Sequence, residues 1–378
     1  MALGVNLTLL IGANVPKPAP RMLMEAFQKV EVTHNDEKTS GFQINFQVGR
    51  SGKNDQKDYQ LINNPLIKPG NRVILIVTLN ASAQVLMDGI ITHQQFSPSI
   101  EIGGSTFSIT GEDVSVMMDL EEKSVEHPAQ DEAIIANQII SSYSKYGLVP
   151  KVIKPPLVDR PPINERIPVQ QDTDLKYLQM LAQRFDYVFY VTPGPASGTN
   201  TAYWGPPMRK TTPQKALSVN MGTFTNVESI NFQNNALSAS TVAGRVQDRK
   251  SNKIQSVKAN NSDRTNLSQQ PGLDNKKLLR KTQFRETGRQ ILQAGSKAQA
   301  MVDNSIDKVL EVTGELNTIR YGDLLELRGV VGLRGVGQTY DGLYYVKSVT
   351  HTLKKGEYKQ SFTITREGLG TTVRVLKV

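Results

Sequence analysis

Between Gly314 and Gly368 the chain alternates apolar and polar residues with a period of two, the spacing of a half-buried β-sheet. Tyr358, Phe362 and Ile364 fall on one face, interrupted by Gln360. Lys359, Ser361, Thr363 and Thr365 fall on the other. Tyr344, Tyr345, Val346 and Val349 open an earlier strand. Lys354-Lys355-Gly356-Glu357 reads as the turn between the two, because glycine accepts the positive φ of a tight hairpin. Asp341-Gly342 is a similar signal, and Gly332, Gly335 and Gly337 read as a hairpin loop. The pattern predicts a small antiparallel barrel or sandwich.

The first part of the chain carries the same grammar. In Ser40–Gly49 the residues Phe42, Ile44, Phe46 and Val48 face one way, and Gln43, Asn45 and Gln47 the other. Strands are predicted over 5–11, 27–33, 41–48, 73–79, 85–95 and 105–111, with Pro69-Gly70 as a turn. The pattern changes after Asp113. A helix is predicted over 131–146, where Ile134, Ile135, Ile139, Ile140 and Tyr143 share a face. A proline-rich linker follows over 150–168. A second helix starts at Asp172 or Thr173, with Leu175, Leu178, Leu181, Ala182 and Phe185 as its apolar face, and runs into a strand over 186–191. The stretch around the lone Trp204 reads as loop. Strand patterning returns over 218–232, extended or mobile backbone is expected over 234–285, and a helix over 286–306. The fold class is therefore α+β, mainly β. Its expected divisions are a first β-domain over 1–118, an α/β insertion over 119–205, a strand, basic extended segment and helix over 206–310, and a closing β-unit over 311–378.

Charge is concentrated. The net charge is +9, and residues 245–297 hold thirteen Lys or Arg against four Asp or Glu, so the remainder balances to zero. That segment opens a second reading of the chain, a nucleic-acid- or cargo-binding module. It offers a single aromatic, Phe284, for base stacking.

Catalytic grammar is sparse. With no cysteine, disulfides, thiolate nucleophiles and cysteine-ligated metals are excluded, in keeping with assembly in a reducing cytoplasm. His34, His93, His127 and His351 are far apart and form no zinc-ligand spacing; His351 reads as a ladder residue in a strand. Acidic neighbours at Glu121-Glu122, Asp131-Glu132 and Asp172/Asp174 are candidates for the carboxylate pair of a cell-wall hydrolase. The last two sit at helix N-termini, where capping and the helix dipole account for them. No G-x-S-x-G elbow and no P-loop occur. No catalytic, cofactor-binding or metal-binding residue is assigned. The apolar run Val73–Leu79 is far shorter than the ~20 residues of a membrane helix, so no membrane insertion is expected. The start, without a basic n-region, reads as a strand rather than a signal peptide.

Three stretches carry a resemblance. QQDTDLKYLQMLAQRFDYVFYV resembles a helix-to-strand element of the phage late control protein D family. YGDLLELRG, YDGLYYVKSVTHTL and KQSFTITREG resemble that family's closing β-unit, and GEDVSVMMDL with KYGLVPKV its middle. The family includes hubs of myophage tails and contractile injection systems, and the N-terminal half of the VgrG spike proteins. The resemblance implies two tube-docking β-barrel domains flanking the α/β insertion. It implies a homotrimeric baseplate hub, not an enzyme, that adapts a hexameric inner tube to a trimeric spike. Further implied partners are the tape measure protein, baseplate wedge proteins, and cargo or DNA in the lumen. The particle would be a phage tail or a phage-tail-like apparatus, assembled in the bacterial cytoplasm. Fused spike versions continue into further domains; here the puncturing tip is expected to be a separate trimeric spike protein.

Overall fold

The computed structural model describes residues 4–373 apart from 14, 50–58, 60, 102–103, 156–159, 161, 165–166, 210–211, 249–250 and 286–289. The first region comprises β1 (Asn6–Gly12), β2 (Lys17–Pro18), the short helix α1 (Arg21–Ala26), β3 (Phe27–Asn35), β4 (Gly41–Gln47), β5 (Arg72–Leu79), β6 (Ser82–Ser97) and β7 (Thr106–Asp113). Phe42, Ile44 and Phe46 of β4 are buried, as the alternation requires. They join Leu75 and Val77 of β5, Met87 and Ile91 of β6, and Phe107 and Ile109 of β7 in one core. Residues 73–77 of β5 are an unbroken apolar run because both faces of the strand are covered there; Ile74, at 2% exposure, is nearly as buried as Val73.

The Phe42 ring packs beside Gly89 of β6 and Gly111 of β7. A Cβ on Gly111 would stand 2.5 Å from the Phe42 ring and 2.2 Å from the Ile90 carbonyl oxygen. We expect Gly111→Ala to cost about 1–3 kcal/mol through overpacking, read as a lower midpoint in urea unfolding. An unchanged midpoint would refute that close approach.

The middle region holds β8 (Glu122–Glu126), α2 (Glu132–Ser142), β9 (Leu148–Val152), β10 (Val169–Thr173), α3 (Asp174–Gln183), β11 (Val188–Pro193) and β12 (Asn200–Gly205). Asp131 caps α2 by accepting from the Ile134 amide, and Thr173 caps α3 from the Lys176 amide. The two helices pack with the β11–β12–β9 sheet around Ile135, Ile140, Leu178, Leu181 and Trp204. Trp204 corrects the loop expected there. It sits on β12 fully buried, and its indole N–H donates to the Leu178 carbonyl at 3.1 Å. Glycine and proline on either side hid a short strand whose burial is supplied by residues distant in sequence.

The remainder comprises β13 (Pro213–Ser218), β14 (Val227–Asn234), β15 (Ser240–Gln247), β16 (Ile254–Ala259), β17 (Ser268–Pro271), β18 (Arg280–Phe284), α4 (Ile291–Ile306), β19 (Leu310–Asn317), α5 (Thr318–Tyr321), β20 (Val330–Arg334), β21 (Gly342–Lys354), β22 (Glu357–Arg366) and β23 (Gly368–Thr371). The hairpin turn falls at Lys355-Gly356, with Gly356 at φ +81°. The long extended backbone expected over 234–285 is instead a folded unit. β16, β15 and β18 form a sheet that packs Val242, Val246, Val257 and Phe284 against Ala294, Ala298 and Val302 of α4. Small apolar residues spaced by four make that helix face, and the polar composition of the strands' other face masked the sheet. Residues 286–289, the start of the helix expected here, lie outside the described residues.

The mainly-β α+β class holds. The β-units of the two ends are not separate sheets. β3 pairs antiparallel with β21, from Lys29 opposite Lys354 to Asn35 opposite Ser348. This seam joins them in one 13-stranded sheet with main order β14-β19-β22-β21-β3-β4-β7-β6-β5-β1-β2.

Candidate docking surface and the junction behind it

The seam turns two separately legible strand faces into one. From β14 to β6 the solvent face carries Asn231, Thr313, Ser361, Thr350, Thr33, Gln43, Ser108 and Gln95 on eight successive strands. At about 4.8 Å per strand that face is about 34 Å wide. It is polar, and its lysines are set against glutamates. Lys359 meets Glu228 and Glu315 at 2.8 Å each and Glu357 at 3.5 Å, and Lys29 meets Glu31 at 2.6 Å. Across the seam the Thr33 and Thr350 hydroxyls are 3.1 Å apart. One end of the strand order is β14, whose only strand partner among the described residues is β19. Such an edge leaves a row of backbone donors and acceptors for another chain.

Behind this face the three regions lock together through polar contacts. Arg72 of β5 donates to both oxygens of Asp88 on β6 at 2.7 Å, and to the carbonyls of Tyr146 at 2.9 Å and Gly198 at 3.1 Å. Asn200 of β12 donates to Asp88 at 2.9 Å. Asp88 is 1% exposed, so this is a fully desolvated carboxylate held by two regions at once.

Arg328 makes the second junction. Its guanidinium stacks on the Tyr190 ring of β11, 3.6 Å from the centroid, and donates to the Asn35 and Asp36 carbonyls at 3.3 Å each. Its φ of +62° is unusual for a side-chain-bearing residue, and the contacts on both sides hold it there. Beside it, Ser40, Asp113, Tyr190 and Arg328 line a cavity of about 30 Å³. Asp113 accepts from the Ser40 and Ser115 amides at 3.1 and 2.9 Å. Burial nevertheless pushes both Asp36 and Asp113 up to about 6.

His34 and His351, distant in sequence, meet edge to face across the seam with ring centroids 5.8 Å apart. His34 contacts the Ser40 hydroxyl at 3.1 Å, and His351 the Tyr358 hydroxyl at 2.9 Å. Burial holds His351 well below the usual histidine range, with the His34 ring adding to the effect. It pushes His34 down to about 4, although an edge of that residue still reaches solvent. His351 is the ladder residue its strand pattern predicts. The spacing of histidines gave no sign of the pair, because strand pairing across the chain is not a local signal.

The acidic pairs scatter. Glu121 and Glu122 are exposed, Asp131 caps α2, and Glu132 reaches Arg184 at 3.5 Å. Asp174 is buried and accepts from Lys123 at 2.6 Å, Tyr143 at 2.7 Å and Gln170 at 2.8 Å. Burial alone would raise its pKa; those donors outweigh it and hold it below the usual value. His93 is exposed on β6, and His127 stacks on Tyr177 with centroids 5.7 Å apart. Among the described residues no three His, Asp or Glu side chains converge as a metal-ligand set, and none of the helices is long and apolar enough to cross a membrane.

No protein-family model and no curated protein sequence matches this chain. Solved structures do. A tail protein of Neisseria meningitidis superposes on 97% of this chain and 98% of its own, with a TM-score of 0.66 and 12% identity. The 43 kDa tail protein of a Shewanella oneidensis prophage does so on 96% and 98%, at 0.61 and 12%. A chain of the Francisella PdpA–VgrG complex matches all of this chain over 55% of its own, at 0.60 and 11%. The fold is therefore the one shared by phage tail proteins and a VgrG-complex component.

Proposed function

We propose that this chain is the structural baseplate hub of a contractile tail or injection system. Three copies adapt a hexameric inner tube to a separate trimeric spike protein. The observation that carries the reading is the seam. About the β3–β21 pair the sheet extends through β4, β7, β6, β5, β1 and β2 on one side and through β22, β19 and β14 on the other, with β20 and β13 branching from β21, so the halves hold seven and six strands. Each half acts as one tube-docking unit, so three chains present six comparable surfaces to a six-fold partner. The end-to-end likeness to two tail proteins supports the same reading, and the absence of catalytic grammar agrees with a structural part in a tail-like particle. Tape measure and wedge proteins are further expected neighbours. Native mass spectrometry of the chain mixed with its tube and spike proteins should give a complex with three copies of this chain. A chain that stays monomeric beside both would overturn the proposal.

A further inference from the structure

The hub reading leaves the charge excess of residues 245–297 without a role, and the fold shows where that excess goes. In the β16–β15–β18 sheet, Val242, Val246, Val257 and Phe284 turn inward onto α4. The opposite face therefore carries Thr241, Ala243 and Arg245 of β15, Ser256 and Lys258 of β16, and Lys281 and Gln283 of β18. Lys258 stands opposite Ala243, Ser256 opposite Arg245, and Lys281 opposite Thr241, so the cations are spread over all three strands. All three are exposed, and no ion pair involves them among the described residues. Lys253, Lys276, Lys277, Arg280 and Arg285 add exposed charge around them. The described acids of the segment, Asp248, Asp263 and Asp274, lie outside these three strands. Asp248 is buried and accepts from the Ser251 and Ile291 amides. Arg264, the one described cation of the segment that is paired, turns to Asp303 of α4 and to Asp307 just past its end.

We propose that this sheet face binds the phosphate backbone of double-helical nucleic acid without reading its sequence. The chemistry selects that partner. Phosphates are met by dispersed Arg and Lys backed by hydroxyl and amide side chains, and the face offers all of these. Single strands need aromatic platforms, and Phe284 is sealed in the core at 4% exposure. A protein partner would need a desolvated apolar centre, and the face offers Ala243 with an exposed Ile254 at its margin.

The test is fluorescence anisotropy of the full chain with a labelled duplex of random sequence. Three phosphate contacts predict a slope of log affinity on log salt of about −2.7, which is about a forty-fold loss between 50 and 200 mM salt. The triple variant Arg245→Ser/Lys258→Ser/Lys281→Ser should lose most of that slope and bind at least tenfold more weakly at 50 mM salt. A variant with the same net charge, Lys17→Ser/Lys145→Ser/Lys355→Ser, removes exposed lysines elsewhere and should bind like the parent. No binding by the parent at 50 mM salt overturns the proposal, as does an equal loss in both variants. Displacement of the duplex by polyglutamate at equal or lower charge concentration assigns the face to an acidic protein and overturns it too. The hub reading stands or falls separately, on copy number.

Discussion

Replacing Arg72 with alanine is expected to lower the unfolding free energy by about 3–5 kcal/mol. The cause is not the loss of an attraction but what is left behind. Asp88, 1% exposed, would keep only the Asn200 amide as a side-chain partner. The carbonyls of Tyr146 and Gly198 would lose a donor at the same time. Because both carbonyls belong to the middle region, the variant should also loosen that region from the first sheet. Hydrogen exchange should report this as faster opening over 144–152 and 198–205. The double variant Arg72→Met/Asp88→Leu should recover much of the loss, since no buried charge then remains. A double variant as unstable as Arg72→Ala would show that the pair contributes net attraction rather than avoided penalty.

The second large effect is on acid stability. His351 stays neutral in the folded chain below the pH at which the unfolded chain protonates near 6.5. Its folded pKa is the lower of the two. Stability is therefore fully present above about 6.5 and falls with pH until the folded pKa is reached, by about 1.4 kcal/mol for each pH unit. The groups facing it have to be counted. His34, pushed down to about 4, acts in the same direction. Asp113 and Asp36, pushed up to about 6, act oppositely, because the folded state takes up their protons first. Tyr358 donates or accepts at His351, and Arg328 stays charged. The whole-chain curve is a sum of opposing terms, so the informative quantity is a difference. The stability of the parent minus that of His351→Gln should fall by about 2 kcal/mol between pH 7 and pH 5. A difference that stays constant over this range would mean that His351 is not kept neutral.

Local periodicity made most strands and three helices readable before any coordinates, since alternation and capping residues are written within a few positions. Phe42, Ile44 and Phe46 announced β4, and Thr173 announced α3. What the sequence left unread depends on residues that meet from afar. Trp204 sits between turn-forming glycines, and only Leu178 and the aromatics packed on it explain why its segment is a strand. The basic stretch looked unstructured because its inward residues are few and small, with Val242, Val246 and Val257 diluted among lysines and amides. The seam is the extreme case. Nothing in the composition of β3 or β21 says that the two should pair, and the meeting of His34 with His351 follows only from that pairing.

The order in which such a seam can form has its own consequence. Asn35 waits for Ser348, more than 300 positions later in the chain. At roughly 5–20 residues per second on a ribosome, the β3 margin stays open for about 15–60 s. During that interval it is a sticky border, available to the same margin of a sister nascent chain. Slower elongation should therefore raise the share of misjoined chains, and the opposed Lys29 and Lys354 would then serve as guards against premature self-association.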